Sequence, residues 1–313
     1  MRQEALKLKK QKKLQSKEFL GEVIFFIVIA GFPLLQFCVF YIGVNFNSVL
    51  MAFQGYDAVT DTYQFIGFEN FSRFFTEWET TGIFNYALRN SVIAWVFTFG
   101  IGTSLGLIFA YYIARKKPGG GLFKTILFLP NVVSGIVLVV IFKAFTDSCI
   151  PAILQAIDGN THLGLIQNSD TTFGTIIFYN IWISFGTTVI MYSGAIGNID
   201  EAVFEAAKLD GASEICIFFR VVLPLIYPSI IVFFTAGIAG IFTNQLNLYS
   251  FFGENAQPRL YTFGYYLYRN VQIDKTGSGY GYLSAIGIML TLVVAPITLF
   301  ARKLLMRVGP STE

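Results

Sequence analysis

Charged residues are scarce in this chain of 313 residues: Asp, Glu, Lys and Arg make up 13% of it, about half the share found in an average soluble domain. Hydrophobic residues make up 54% and aromatic residues 17%, which is more apolar surface than a soluble fold of this size can bury. The composition therefore indicates an integral membrane protein. It excludes soluble enzymes, nucleic-acid-binding proteins and disordered scaffolds.

Cysteine and histidine are also too few to build a cross-linked or metal-bound fold. The three cysteines, Cys38, Cys149 and Cys216, are odd in number and far apart, and His162 is the single histidine. Because this set offers neither a disulfide framework nor a metal-ligand spacing, we predict no metal site. We interpret the cysteines as small buried apolar residues.

Basic residues are concentrated at the N-terminus. Residues 1–18 hold seven Lys and Arg against two Glu, and we interpret residues 1–19 as a basic arm next to a first membrane span. The apolar run that begins near Phe19 has no small-residue cleavage site, and further apolar runs follow it. We therefore expect this run to remain as an anchor and not to be removed as a signal peptide.

Six apolar runs reach the length of roughly 20 residues that a helix needs to cross a bilayer. They cover residues 20–44, 88–113, 122–146, 172–197, 225–250 and 282–306. We therefore predict an all-α polytopic membrane protein with six transmembrane helices. Residues 20–306 are expected to form one membrane domain, and residues 307–313 a short tail.

The basic residues are divided unevenly between the two sides of this arrangement. Sixteen of the 22 Lys and Arg lie in segments that share a side with the N-terminus, five lie in the opposite loops, and Lys143 lies inside the third span. Because Lys and Arg are enriched in cytoplasmic segments, we predict that both termini are cytoplasmic.

The segment 198–224, between the fourth and fifth spans, has the pattern of a helix–turn–helix. The run Glu205-Ala-Ala contains strong helix formers, Gly211 can adopt the positive φ that ends a helix, and Ser213 is suited to cap the next one. We expect Leu223-Pro224 to stop the second helix before the fifth span. A solvated connector between two spans has the same pattern, so both interpretations stay open at this point.

The spacing Glu-Ala-Ala-x₃-Gly-x₉-(Ile/Val)-x-Leu-Pro resembles the cytoplasmic EAA loop of permease subunits in binding-protein-dependent ABC importers, with Val221 where Ile is usual. In that family the loop is a coupling helix that docks into a groove on the ATPase subunit. The residues that the resemblance assigns to coupling are Glu205, Ala206, Ala207, Asp210, Gly211, Leu223 and Pro224.

The resemblance extends over nearly the whole chain and is specific to carbohydrate uptake. Residues 65–71, Asn90-Ser91, 128–130 and 180–182 are similar to stretches of sugar permeases, in particular the larger maltose-permease subunit and the glycerol-phosphate permease. Two departures stand out. Residues 252–258 replace the Thr-x-Gly-Gly-Pro common in the family, and the very large outer domain of the enteric maltose subunit is absent.

The resemblance implies a type I ABC importer permease fold and a set of partners in the bacterial cytoplasmic membrane. The partners are a second permease subunit (a heterodimer), two ATP-binding ATPase subunits, an extracytoplasmic solute-binding protein and membrane lipid, with no nucleic acid. The chain itself contains no Gly-x₄-Gly-Lys-Ser/Thr sequence for binding ATP. We therefore expect it to bind no cofactor and not to be an enzyme.

Polar side chains inside the predicted spans mark candidate substrate positions, because such side chains usually face a cavity or the bundle interior. Asn180, Ser184 and Thr187 fall on one face of a helix, and Asn244 and Asn247, three residues apart in the fifth span, again share one face. Amides and hydroxyls near a tryptophan fit a neutral, polyhydroxylated ligand. The same side chains also serve as hydrogen-bonding glue between helices, so the residue pattern alone leaves both roles open.

The resemblance favours the substrate role, since several of these residues fall where the maltose-type subunit lines its sugar site. The candidate substrate-binding residues are Asn131, Ser134, Gly135, Asn180, Trp182, Ile183, Ser184, Thr187, Asn244 and Asn247. Several identities differ from the maltose-type subunit, so maltose itself is not implied.

Three other functions are alternatives to a sugar permease. A permease for another polar solute, such as glycerol phosphate or an amino acid, shares the same architecture. A secondary transporter would call for carboxylates within the membrane or inverted repeats, and a membrane enzyme for paired carboxylates or a His/Asp cluster. Neither pattern is visible in the sequence.

Overall fold

In the computed structural model, the described residues are 2–309, with side chains described from Phe19 onward. The described residues are mostly helical, and two short strands, β1 (Gln54–Asp57) and β2 (Thr62–Phe65), pair as an antiparallel hairpin. The helices are α1 (Arg2–Gln36), α2 (Val44–Met51), α3 (Glu69–Thr81), α4 (Ile83–Ala114), α5 (Gly120–Phe128), α6 (Gly135–Ala144), α7 (Ile150–Asp158), α8 (Thr172–Gly197), α9 (Glu201–Leu209), α10 (Glu214–Ile217), α11 (Leu223–Leu225), α12 (Tyr227–Ala239), α13 (Leu248–Phe252), α14 (Phe263–Ile273) and α15 (Tyr280–Val308).

Five helical stretches within residues 2–309 are long and apolar enough to cross a membrane, and a sixth is present if the bent pair around Ile226 counts as one span. The prediction of an all-α polytopic membrane protein is therefore confirmed, with six spans when this bent pair is counted as one. The predicted tail 307–313 runs past Gly309 to residues outside the described part of the chain. The side chains of the predicted basic arm up to residue 18 are outside it too, whereas its backbone belongs to α1.

The first span stands apart from the others. α1 passes through a π-helical stretch, Phe37–Gly43, into α2, so that Phe19–Met51 forms one apolar helix. None of its most apolar residues is buried by the rest of the chain. Its contacts with the bundle are made through α2, which packs against α15 and the hairpin. A helix this apolar and this exposed requires lipid or another protein around it.

The centre of the bundle is the pair α4 and α8, which pack against each other along their length. Small residues on α4 allow this close approach: Gly102, Gly106 and Ala110 recur every four residues and are all buried. A side chain at Gly106 would lie 2.7 Å from the methyl group of Thr188 on α8. This spacing of small residues is a common way for membrane helices to pack closely.

The third span is broken, where the sequence had predicted one helix over residues 122–146. α5 ends at Phe128, a single 3₁₀ turn covers Leu129–Asn131, and α6 begins at Gly135 after Ser134 takes an extended conformation. Pro130 in this turn lacks the N–H that a continuous helix needs. α5 and the turn pack against α8, so the break places Asn131 next to that helix.

The fifth span is shorter than predicted, and the prediction of one helix over residues 225–250 is wrong at residues 240–247, which separate α12 from α13. α12 ends there, residues 240–247 form consecutive turns, and Leu246 and Asn247 have φ values of +52° and +55°. An asparagine tolerates this left-handed conformation better than most residues. At its other end, α12 meets α11 with a 67° bend at Ile226.

The two ends of the bundle differ in structure. The lower end, as we call it here, carries residues 115–119, the segment 200–226 and the end of α15. The upper end carries the hairpin, α3 and the turn before α15. In this turn Asp274 accepts N–H bonds from Gly277 (2.8 Å) and Gly279 (2.6 Å). Partial burial acts to raise the pKa of the Asp274 carboxyl, but these N–H groups and Thr276 hold it below its usual value.

Candidate functional site

The segment 200–226 at the lower end begins with a helix–turn–helix, as the sequence predicts. The Asp200 carboxylate accepts a hydrogen bond from the N–H of Ala202 (3.0 Å) and so caps α9. Gly211 has φ +76°, which reverses the chain between α9 and α10. Ser213 Oγ then accepts the N–H of Cys216 at 3.3 Å and caps α10.

The expected stop at Leu223-Pro224 is wrong. The helix that starts at α10 passes through a π-helical stretch, Phe218–Val222, and continues into α11, of which Leu223 is the first residue. Pro224 therefore lies inside a continuous helical stretch, where a proline kinks a helix. The break falls two residues after Pro224, at Ile226, immediately before α12.

The helix–turn–helix has one buried and one exposed face. Phe204 and Ile217 are buried in the lower core, against α4 and α8. Leu209 and Ile215 are 89% and 72% exposed at the opposite face. The predicted coupling residues that lie exposed are Glu205, Ala206, Asp210 and Gly211, whereas Ala207, Leu223 and Pro224 are half-buried.

Two basic residues from the loop between α4 and α5 hold this segment at both of its helices. Arg115 Nη1 lies 2.9 Å from Glu201 Oε1, and Lys117 Nζ lies 2.8 Å from Glu214 Oε1. The hydroxyl of Tyr111 donates a second hydrogen bond to Glu214, at 2.6 Å. We call these contacts the lower clamp. The sequence analysis used Arg115 and Lys117 only to orient the chain and missed this role, because their acidic partners lie about 90 residues further on.

Asn180, a predicted substrate residue, ties α8 to the turn that follows α12. Its Nδ2 donates to the carbonyl oxygens of Ile176 (2.8 Å) and Leu246 (3.0 Å), and its Oδ1 accepts from Asn247 Nδ2 at 2.8 Å. The side chain is 8% exposed. Asn180 and Asn247 are therefore brought together, with their amides engaged in holding two segments of the protein.

Asn244 and Asn247 do not share a helical face, because the chain has left the helix before it reaches them. Asn244 is exposed, and its Oδ1 accepts the N–H of Leu246 at 2.8 Å, which shapes the turn. Asn247 points to α8 instead. The prediction of one amide face in the fifth span is therefore wrong.

The other predicted substrate residues fall into two groups. Asn131 and Thr187 meet across the break in the third span, where Thr187 Oγ1 donates to Asn131 Oδ1 at 3.0 Å. Ser134 and Gly135 are exposed on the α6 side of the same break. Closer to Asn180 are Trp182, which stacks on Phe142 and is 40% exposed, half-buried Ile183, and Ser184, whose hydroxyl donates to the Asn180 carbonyl.

A cavity of about 460 Å³ lies between α4, α8, α12 and the turn that follows α12. Of the predicted substrate residues, only Ser184 and Asn244 line it. Its aromatic walls, Trp95, Phe99 and Phe233, were missed because they read as ordinary apolar residues of two membrane spans. No periodicity in the sequence separates an aromatic side chain that faces lipid from one that faces a cavity.

Comparison with known proteins assigns a family to this arrangement of a membrane bundle and a clamped helix–turn–helix. Residues 102–310 match the model of the family described as binding-protein-dependent transport system inner membrane component. The match covers about two thirds of the chain, and the chain belongs to this family. It is a multi-pass membrane protein with the permease fold of type I importers, as the sequence predicts.

Two bacterial permease proteins are similar to this chain over most of its length. The multiple sugar-binding transport system permease protein MsmF of Streptococcus mutans is 24% identical over 279 residues, which cover 87% of this chain and 92% of that protein. The arabinooligosaccharides transport system permease protein AraP of Halalkalibacterium halodurans is 25% identical, over 88% of this chain and 83% of that protein. A crystal structure of a bacterial ABC transporter that imports the acidic polysaccharide alginate contains a chain with the same fold. It has a TM-score of 0.73 and 23% identity, and the match covers 94% of this chain and 100% of that one.

Proposed function

We propose that this chain is the permease subunit of an ATP-driven importer of oligosaccharides. Membership of the permease family, together with relatives named for the transport of multiple sugars and of arabinooligosaccharides, supports this substrate class. The single observation that carries the mechanism is the helix–turn–helix, which is exposed on one face and clamped to the bundle on the other.

The exposed face of the helix–turn–helix is the surface we assign to a separate ATPase. Glu205, Asp210 and the exposed Leu209 lie on or beside it, and they supply charge and apolar area for a groove on the partner. The lower clamp joins this face to α4 by two ion pairs. A rigid-body displacement of the ATPase is then passed to the bundle and is not lost in a flexible loop.

The remaining partners follow from the same architecture. We place both termini and the lower end in the cytoplasm, where two ATPase subunits bind ATP, and a solute-binding protein at the upper end. One solved relative is an alginate transporter in complex with a pentasaccharide-bound periplasmic protein. A second permease subunit and lipid would cover the apolar first span. In this assembly the chain itself needs no cofactor and catalyses no reaction.

We place the sugar pathway along the break in the third span. Asn131, Ser134 and Thr187 are exposed there and offer amide and hydroxyl groups. Asn244 is exposed in the turn that follows α12. Such groups donate and accept hydrogen bonds with sugar hydroxyls. Asn180 and Asn247 would shape the pathway from behind, since their amides already bond to each other and to the backbone.

Uptake by the reconstituted importer tests this proposal. The permease, its partner permease, the ATPase and the binding protein are placed in proteoliposomes, and uptake is measured for oligosaccharides, amino acids and glycerol phosphate. We expect ATP-dependent uptake of an oligosaccharide alone. Uptake of an amino acid or of glycerol phosphate in its place would contradict the substrate class.

A charge reversal tests the coupling surface in the same preparation. Glu205→Lys is expected to lower binding-protein-stimulated ATP hydrolysis and the recovery of the ATPase with the permease. Lys303→Glu, a reversal at an exposed site of α15 at the lower end, serves as the matched control and is expected to leave both unchanged. If Glu205→Lys behaves like this control, Glu205 takes no part in docking.

A further inference from the structure

α3 lies at the height where α15 enters the membrane from the upper end. Residues 280–301 of α15 contain no charged side chain and are about 33 Å long, close to the roughly 30 Å of a hydrocarbon core. Tyr282 therefore lies at the upper edge of that core. Its hydroxyl donates to Glu77 of α3 at 2.7 Å, and the Arg73 guanidinium of α3 lies 4.1 Å from the centre of its ring. These contacts place α3 in the polar layer of the bilayer, directly above the acyl chains.

The start of α3 is fastened to the end of the first span. Asn70, which is 7% exposed, donates from its Nδ2 to the carbonyl oxygen of Ala52 at 3.0 Å. The centre of the Phe53 ring lies 5.3 Å from that of Phe68 and 5.3 Å from that of Phe71. Because α3 is held to the first span at its start and to α15 further along, its position relative to the membrane is fixed by both.

The surface of α3 has three distinct sides when its residues are placed at the period of an α-helix. Phe74 and Trp78 pack into the core of the protein. Glu69, Thr76 and Thr80 are exposed on a polar side. Between these two sides runs a row of aromatic rings at positions i, i+3 and i+7, which we call the phenylalanine stripe: Phe68, Phe71 and Phe75.

The phenylalanine stripe is left largely open by the rest of the described chain. Phe68 and Phe75 are 73% and 57% exposed, and Phe71 is half-buried. A continuous aromatic surface of this kind requires an apolar partner. Phenylalanine rings on one side of a helix and polar residues on the next are typical of a helix that lies in the plane of the membrane surface.

The charges of α3 determine which part of a lipid it contacts. α3 carries Glu69, Glu77 and Glu79 against one basic residue, Arg73. Anionic lipid headgroups attract Lys and Arg, so these charges do not draw α3 towards them. The contact is therefore apolar and is made with acyl chains. The adjoining first span calls for the same surroundings, because none of its most apolar residues is buried by the rest of the chain.

We propose that α3 is an interfacial helix whose phenylalanine stripe inserts into the upper boundary of the acyl chains. A helix of this kind reaches about 5–10 Å into the boundary between headgroups and chains. The proposal goes beyond the transport function, because neither the substrate nor the ATPase takes part in this contact. Through Asn70 and Glu77, the contact holds the upper ends of the first span and of α15 at one height in the membrane.

Fluorescence quenching in a bilayer tests this contact. In a chain without its native cysteines, Phe75→Cys, Phe68→Cys and the control Thr76→Cys each receive one small fluorescent label. Thr76 is exposed and follows Phe75 directly in the chain, but it belongs to the polar side of α3. Each labelled chain is purified with its partner subunits and placed in phosphatidylcholine nanodiscs. The quenchers are a lipid with a nitroxide on the upper part of its acyl chain and iodide in the water.

We expect the nitroxide lipid to quench the labels at positions 68 and 75 at least about twofold more strongly than the label at position 76, since only the stripe reaches the acyl chains. We expect iodide to show the reverse order. The label at position 68 provides a second measurement if a label at position 75 disturbs the packing of its neighbour Phe74.

The proposal is overturned if the nitroxide lipid quenches neither position 68 nor position 75 more strongly than position 76. In that case the iodide measurement shows what the stripe faces. Strong quenching by iodide at position 75 means that the stripe is open to water. Protection of position 75 from both quenchers means that another protein covers it, and protection from iodide that appears only when the solute-binding protein is added assigns the stripe to that partner.

Discussion

The guanidinium group of Arg115 lies 4.0 Å from the centre of the Phe204 ring, so the loop after α4 holds the first helix of the segment 200–226, which we call the coupling segment. The Arg115 side chain is only 8% exposed, whereas its ionic partner Glu201 is 68% exposed. An ion pair open to water contributes little, and a cation on a buried aromatic face contributes more. The contact with Phe204 is therefore the stronger half of this junction.

Replacement of Arg115 by Lys tests this junction. The variant keeps the charge but loses the planar group that stacks on Phe204, a loss of about 1 kcal/mol. We expect binding-protein-stimulated ATP hydrolysis to fall several-fold, while membrane insertion is retained. Arg302→Lys, at an exposed site on α15, is the control. Equal hydrolysis in the two variants would contradict the role of Arg115.

Replacement of Gly211 by Val tests the turn between α9 and α10. A side chain at Gly211 would meet no atom within 4 Å, but the φ of +76° strains any L-residue, at a cost of about 1–3 kcal/mol. We expect the ATPase to co-purify poorly. Gly197→Val is matched to it, since that site also has open space but an ordinary helical backbone. Recovery of the ATPase that is equal in both variants would show that the turn geometry is unimportant for docking.

Asn180 on α8 and Asn244 in the turn after α12 are expected to respond differently to replacement by Leu. Asn180→Leu leaves Asn247 and the Leu246 carbonyl without their partners, so we expect a loss of thermal stability equivalent to about 1–3 kcal/mol. Asn244 is exposed and loses only the hydrogen bond from the Leu246 N–H, so we expect Asn244→Leu to lower stability less than Asn180→Leu does and to lower sugar uptake. Thermal unfolding of the purified complexes and uptake in proteoliposomes give the two measurements. Equal stability of the two variants would refute the role of Asn180 in tying α8 to the turn.

Cysteine labelling tests the orientation of the chain. In a variant lacking Cys38, Cys149 and Cys216, single cysteines at positions 117 and 279 are labelled in intact cells with a reagent that does not cross the membrane. We expect labelling at 279, at the upper end, and none at 117, at the lower end, until the cells are opened. Labelling at 117 in intact cells would place the lower end outside and would invalidate the docking scheme.

The local structure of the coupling segment was predictable because short-range rules determine it. A capping Ser213 and a glycine at a positive φ act on their neighbours within one turn, and the structure contains both. The end of the fifth span was not predictable in this way, because the chain leaves its helix at Gly240, whereas the polar residues at 243–247 are also compatible with a membrane helix that faces a cavity. The hydrogen bonds that hold this turn connect Asn180 to Leu246 and to Asn247, which lie 66 and 67 positions further along the chain.

The substrate residues show the same limit. Asn180, Ser184 and Thr187 do lie on neighbouring positions of α8, as a helical period requires, but they form hydrogen bonds with different parts of the protein. Thr187 meets Asn131, whereas Asn180 meets Asn247. The cavity wall built by Trp95 and Thr98 depends on how α4, α8 and α12 pack, and the period of one helix does not contain that information.

The 67° bend at Ile226 divides this part of the chain into two helical arms, Glu214–Leu225 and α12. One arm ends in the lower clamp. The other, with 13 residues, is about 20 Å long and carries Phe233 and Gly237 past the cavity. A tilt of about 10° about the bend moves its far end by about 3 Å, the width of one hydrogen bond. A small displacement at the surface proposed to bind the ATPase would thus be large enough to make or break hydrogen bonds beside the cavity.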